Sequence, residues 1–203
     1  MSSWLDLEAW DVAALRAAWQ EAGPFAHVVI DGAVPEDARR ALLEAAADEP
    51  CDLIRDPIFT MYASAPGVLE APALAAVRDA MGSPDGLAAI SEIAGRALGR
   101  VDMRAFAYHP GHVLLPHSDH DAGAERLIAY ALYLDTPEPP TGGELDLFAC
   151  RVEEGEIVAT EVARTIEPTP NRLVIFEVGP TTLHQVREVT AGIRLSLAGW
   201  FYA

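Results

Sequence analysis

Near residue 100 the hydrophobic pattern of this 203-residue chain changes period, and any fold it adopts has to accommodate both halves. Before that point apolar residues recur at helical spacing. Residues 3–21 read as a helix with Ser3 as N-cap and Leu7, Trp10, Ala14, Leu15 and Ala18 on one stripe. Residues 35–48 read as a second helix opened by Pro35, and 70–80 and 84–98 as a third and fourth, the last closed by Gly99. A short strand, FAHVVIDG (25–32), interrupts them. From Val101 onward β-rich runs alternate with turn residues, over 101–108, 112–117, 126–135, 144–149, 156–166, 172–178, 181–187 and 193–202. Many short strands in so little chain predict a sandwich or jelly roll, with the helices bracing its outer face. The fold class expected is therefore α+β. One domain is expected over 1–203, with 1–100 mainly helical support and 101–203 the β core.

Charge narrows the partners. Asp and Glu number 31 against 14 basic residues, a net charge of −17. A surface this acidic repels phosphate backbones and anionic lipid heads, so neither nucleic acid nor membrane is the expected partner, whereas a basic protein would be attracted. No stretch reaches the length of uncharged apolar residues that a membrane span needs, and MSSWLDLEAW lacks the basic start of a signal peptide, which leads us to expect a cytoplasmic protein. Cys51 and Cys150 are far apart and in no CxxC pattern, so they suggest neither a disulfide framework nor a zinc-thiolate site.

The chemistry concentrates in LLPHSDHDAG, residues 114–123. If this stretch runs off a strand, side chains alternate, so His117 and Asp119 point together while Ser118 and His120 point away. A His-x-Asp pair can chelate a metal, yet such triplets also occur as ordinary surface turns. A third ligand separates the two readings. His27, His109 and His112 lie in a strand or a flanking turn, but His184 follows a buried run, NRLVIFEV, and the Gly179-Pro180 turn. Two histidines and a carboxylate on one face of a β scaffold, with open positions opposite, form the facial triad of non-haem iron(II) oxygenases. Farther on, Arg194, Ser196, Ala198 and Trp200 share a strand face. An inward guanidinium there suits the far carboxylate of a dicarboxylate, although a strand arginine paired with a surface acid fits the same letters.

In YHPGHVLLPHSDHD, RLIAYALYLD, GGELDLF, NRLVIFEV and HQVREV…IRLSLAGWFY the chain resembles the prolyl-hydroxylase branch of the 2-oxoglutarate- and iron(II)-dependent dioxygenases. The resemblance runs from about Asp102 to Tyr202. It implies a double-stranded β-helix (jelly roll, cupin-like) core. The FEVGPTTLHQVREV and RLSLAGWF segments look most like the eukaryotic ribosomal prolyl hydroxylases, which modify a small-subunit ribosomal protein.

Carried over by position, the resemblance makes His117, Asp119 and His184 the iron ligands and Arg194 the partner of the distal 2-oxoglutarate carboxylate. Tyr133 is implied to reach the same carboxylate, Tyr108 to line the pocket near it, and Trp200 to form a pocket wall. Strand parity agrees for Tyr133, since Leu127, Ala129, Ala131 and Tyr133 share a face on which small alanines leave room for a ligand. Implied cofactors are Fe(II), 2-oxoglutarate and O2, with ascorbate support. The implied reaction is hydroxylation with release of succinate and CO2. Related halogenases give up the carboxylate so that chloride can bind iron, so Asp119 favours hydroxylation. Prolyl hydroxylation of a protein or peptide, a basic ribosomal protein among the candidates, is the first reading. A tailoring oxygenase acting on a free amino acid or small natural product is the second, and a non-catalytic β-helix binding module the third. Arg126 matches a position near the substrate channel, where a solvated charge fits equally well. Residues 51–69, CDLIRDPIFTMYASAPGVL, match no expected element and either set specificity or close the fold.

Overall fold

The computed structural model describes residues 4–121 and 123–203. Its helices are α1 (Val12–Glu21), α2 (Glu36–Asp48), α3 (Pro72–Met81) and α4 (Pro84–Ala94). Interleaved with them are β1 (His27–Asp31), β2 (Cys51–Asp56) and β3 (Phe59–Ser64). The strands that follow are β4 (Arg100–Val101), β5 (Arg104–Tyr108), β6 (Val113–His117), β7 (Arg126–Tyr133), β8 (Thr141–Gly142) and β9 (Leu145–Glu153). The chain ends in β10 (Glu156–Ile166), β11 (Arg172–Glu177), β12 (His184–Val186), β13 (Val189–Ala191) and β14 (Arg194–Tyr202).

One curled antiparallel sheet runs β1-β11-β7-β14-β5-β3-β6-β12-β9-β10, with β2 paired to β3 and β4 to β14. Because β3 pairs with both β5 and β6, the two walls of the jelly roll are continuous along one side. This is the double-stranded β-helix architecture expected from the sequence, with four helices packed on its outer face.

Alternation along the strands sorts the residues between two cores. On β7, Ile128, Tyr130 and Leu132 face the helices while Ala129, Ala131 and Tyr133 face inward. On β11, Leu173 and Ile175 take the helix side, and Val174 and Phe176 the interior. The outer core joins these residues to Leu74, Val77 and Met81 of α3 and Ile90 and Ile93 of α4, all nearly or fully buried. Each such side chain contributes about 1.5–3 kcal/mol through burial.

Several boundaries differ from the sequence reading for identifiable reasons. The first helix starts at Val12, where the Asp11 carboxylate accepts the Ala14 N–H at 3.0 Å, and only a 3-10 turn, Leu7–Ala9, precedes it. The proposed cap Ser3 lies outside the described residues. Pro35 caps α2 from outside, and α4 stops at Ala94 because Gly95 adopts a left-handed φ of 66°. The largest departure is 51–64. This unassigned stretch is a β hairpin, β2-β3, wedged into the main sheet. Leu127 is also displaced. Between the pairs Phe201–Ile128 and Tyr202–Arg126 the β7 register slips, making Leu127 a bulge residue that packs toward the helices.

Among the described residues no helix is long and apolar enough to cross a membrane. We predict that Leu197→Ala, at a fully buried outer-core site, lowers stability by about 3 kcal/mol in urea unfolding. Val158→Ala, on the exposed β10, should change it by less than about 0.5 kcal/mol.

Candidate metal and dicarboxylate site

The inward faces of β5, β7, β12 and β14 enclose a cavity of about 350 Å³. At its wall, β12 pairs with β6 so that His184 stands directly opposite His117. Two residues past His117 the chain leaves the strand, and Asp119 completes a group whose ligand atoms lie within 4.8 Å of one another. Asp119 Oδ1 is 3.5 Å from His117 Nε2 and Oδ2 is 3.5 Å from His184 Nε2. The intervening Ser118 points away, donating its hydroxyl to the Gly179 carbonyl at 2.7 Å and accepting the His120 N–H at 3.0 Å. That clasp ties the turn to the loop leading into β12.

Both imidazoles are set for the same task. His117 Nδ1 lies 3.0 Å from the Leu115 carbonyl and His184 Nδ1 lies 3.2 Å from the Thr182 carbonyl, so each donates through Nδ1 and presents a bare Nε2 to the group. Phe176 packs edge-on against His184 at 4.7 Å between centroids. Burial pushes the His184 imidazole down, so its neutral form is favoured. At His117 burial acts in the same direction, but the hydrogen-bonded Asp119 carboxylate outweighs it and the net shift is upward. Burial alone would raise Asp119; the two histidines and the nearby Trp200 indole overcome it and hold the carboxyl at about 2. Two imidazole nitrogens and one hard carboxylate, open on the cavity side and with no thiolate among the described residues beside them, suit a divalent iron-like ion.

Deeper in the same cavity sits Arg194, 4% exposed. Its guanidinium carbon is 4.8 Å from the Tyr133 ring centroid and 4.9 Å from that of Tyr108, and one Nη donates to Ser196 Oγ at 3.4 Å. Its Nε and the Tyr133 hydroxyl are both buried with no hydrogen-bond partner among the described residues. Tyr108 is occupied differently: its hydroxyl donates to Met61 Sδ at 3.2 Å, and burial pushes its pKa up to about 12. A buried guanidinium without a carboxylate costs several kcal/mol. An anion bound between Arg194 and Tyr133 would remove that cost, and this is the local evidence that a dicarboxylate fits. Gly143 permits the packing, since a Cβ there would fall 2.9 Å from Arg194 Cδ and its φ is +75°.

Trp200 shares the cavity face of β14 but lies at the Asp119 end, its indole N–H buried and without a hydrogen-bond partner. The cavity thus collects His117, Asp119, His184, Arg194, Tyr108 and Trp200, with Tyr133 closing the deep end beside Arg194.

Two contributors escaped sequence reasoning. The β2-β3 hairpin supplies Ile54, Ile58, Phe59 and Met61 to the lining, and its alternation of apolar and polar residues around Asp56-Pro57 was the available signal. The second is Asp146 on β9, fully buried, which accepts from Thr165 Oγ1, Gln185 Nε2 and Arg187 Nε, each at 2.7 Å. It fastens β12 one residue beyond His184, and no motif announces it.

Residues 103–202 match the family model of the 2OG-Fe(II) oxygenase superfamily, in keeping with the fold and the ligand group. Among curated proteins, the prolyl 3-hydroxylase OGFOD1 of Mus musculus is 37% identical over 105 residues, 50% of this chain and 18% of that protein. The chain thus matches less than a fifth of its relative's length. Among solved structures, a Pseudomonas putida prolyl-4-hydroxylase superposes with a TM-score of 0.66 at 25% identity, covering 94% of this chain and 98% of the other. A Trichoplax adhaerens prolyl hydroxylase, solved with a hypoxia inducible factor peptide fragment, gives 0.66 at 15% identity over 96% and 93% and shares the fold.

Asp146 generates a prediction about pH. Burial raises its carboxyl, but Arg187, Thr165 and Gln185 more than compensate and hold it below the ordinary carboxylate range. Its contribution is therefore present in full above the unfolded-state pKa and is lost as pH falls through the lower folded-state value. Asp146→Ala should cost about 3 kcal/mol near neutral pH in urea unfolding, and the gap to the wild type should narrow in acid.

Proposed function

We propose that this chain is a hydroxylase that uses Fe(II), 2-oxoglutarate and O2, and that it oxidises a prolyl residue of a protein or peptide. One observation carries the reading: a His-Asp-His ligand group shares a cavity with a buried arginine that forms no ion pair among the described residues. The similarity to a prolyl 3-hydroxylase over half of the chain and to a prolyl-4-hydroxylase structure over 94% of it supports the substrate class. When bound, the cofactors supply an oxidant that places one oxygen atom of O2 into a C–H bond while 2-oxoglutarate becomes succinate and CO2.

In this reading His117, Asp119 and His184 would hold the metal. Arg194 and Tyr133 would hold the distal carboxylate of the cosubstrate. Tyr108 remains a neutral phenol beside Arg194 and walls that end of the cavity, while Trp200 walls the other. Ala129, Ala131 and Ala198 leave volume for a small diacid. Apolar Leu145, Phe176 and Val186 exclude water around it. The helices and the β-helix act as one unit, since the outer core is built from both. Ascorbate acts as the reductant that keeps the iron ferrous. A basic protein target, such as a ribosomal protein, suits the net charge of −17.

The ligand set is testable without a prime substrate. Anaerobic addition of Fe(II) and 2-oxoglutarate should produce the visible charge-transfer band of the chelate, and His184→Ala should abolish it; a band that survives removes His184 from the metal. Arg194→Leu should weaken 2-oxoglutarate binding by about 100-fold in calorimetric titration while leaving metal affinity unchanged.

A further inference from the structure

The cavity carries the opposite charge to the rest of the molecule. Acids outnumber basic residues 31 to 14 over the chain, yet the charged residues lining the cavity are three arginines, Arg104, Arg126 and Arg194, and one carboxylate, Asp119. Asp119 faces the two histidines, and Arg194 lies at the deep end. Arg104 and Arg126 remain, and among the described residues neither has a carboxylate oxygen within salt-bridge distance, although Asp102 acts on Arg104 from farther away.

Arg126 is there because of the bulge. In regular alternation it would share the face of Ile128 and point at the helices. The extra residue, Leu127, reverses it onto the cavity side. Its guanidinium carbon lies 3.7 Å from the centroid of the Trp200 ring, Nη1 donates to the Asp119 backbone carbonyl at 3.3 Å, and Nε is buried without a partner. Arg104 flanks β14 from the opposite side, since β5 pairs Arg104 with Ala198 while β7 pairs Arg126 with Tyr202. It sits 5.4 Å from the Phe106 ring and donates Nε and Nη2 to the Ser64 carbonyl, while Nη1 makes no protein hydrogen bond. The neighbouring carboxylate, Asp102, accepts from the Trp200 N–H at 2.7 Å and the Tyr202 hydroxyl at 2.6 Å instead.

Resting on the hydroxylase reading above, we propose that Arg104 and Arg126 read a carboxylate of the prime substrate, so that the segment entering the cavity is acidic beside the residue that is oxidised. Two half-buried guanidiniums beside aromatic rings, Arg126 over Trp200 and Arg104 near Phe106, with no direct salt bridge among the described residues, are arranged for planar anion recognition. A target that is basic overall docks on the acidic exterior and still offers an acidic residue at the mouth. Peptide carbonyls would engage the same donors regardless of sequence, and a ranking by charge separates the two cases.

The test uses three peptides that differ only in the residues on both sides of a central proline, which are Glu, Gln or Lys. Their affinities are measured by calorimetry on protein loaded with Mn(II) and 2-oxoglutarate, and their gain of one oxygen atom by mass spectrometry on protein loaded with Fe(II). The Glu peptide should bind about 10-fold more tightly than the Gln peptide and about 100-fold more tightly than the Lys peptide at low salt. The ranking should collapse in the Arg104→Gln, Arg126→Gln double variant and persist in Arg126→Lys. Each ratio is taken within one protein, so a reduced folded fraction cancels. Equal affinities for the Glu and Lys peptides, a ranking unchanged by the double variant, or no binding of the Glu peptide would overturn the proposal. Preferential binding of the Glu peptide without oxygen gain in any peptide leaves the carboxylate reading standing and removes prolyl hydroxylation. Oxygen gain indifferent to charge does the reverse.

Discussion

The pairing of β12 with β6 is the contact on which the rest of the molecule's chemistry depends. It sets His184 across from His117, and a slip by one residue would turn either imidazole to the opposite face. The strand β12 is only three residues long and cannot hold that register by its own ladder. It is fixed from the other side by β9, where Asp146 stands opposite Gln185 and binds its side chain, and from the loop by the clasp of Ser118 on Gly179. A buried carboxylate that touches none of the three ligand-group residues by hydrogen bond therefore has as much to do with the geometry of the site as the residues within it.

Electrostatics divides the molecule in a second way. Apart from buried or partly buried carboxylates such as Asp119, Asp146 and Glu49, most acids lie on the exterior, where water and salt screen them. Inside, the lining is mostly apolar apart from the ligand group, the guanidiniums and a few hydroxyls, and there each charge acts at short range in a poorly screened setting. Arg194 is tolerated between two tyrosine rings, and Arg126 over an indole, because aromatic faces offset part of the lost hydration without neutralising the charge. Neutralisation is left to ligands.

How much of this was legible in the sequence follows from the range of the interactions involved. His117 and Asp119 were readable because the alternation of a strand is local, and Arg194, Ser196, Ala198 and Trp200 for the same reason. The helical stripes were readable at their centres and blurred at their ends, where a single cap such as Asp11 or Gly95 decides the boundary. What failed was anything set by a partner strand. Leu127 and Arg126 have the letters of regular alternation, and only the register against Phe201 and Tyr202 creates the bulge that swaps their faces. The hairpin of 51–64 hid similarly, since its two strands are short, partly charged and ordered by neighbours that lie 40 or more residues later, as the Arg104 bond to the Ser64 carbonyl shows. Asp146 looked like one of many acids because burial is a property of the assembled sheet.

The order of strands has a further consequence, for how the chain reaches this state. β1 lies beside β11, β3 between β5 and β6, and Gly99 donates its N–H to the Tyr202 carbonyl. The apolar stripes of α3 and α4 rest on Leu132, Leu173, Leu197 and Phe201, residues that leave the ribosome long after the helices do. The core that the helices begin among themselves is thus completed only by later strands. Contacts of such long sequence separation make folding slow, and they favour a single cooperative event over stepwise assembly during synthesis.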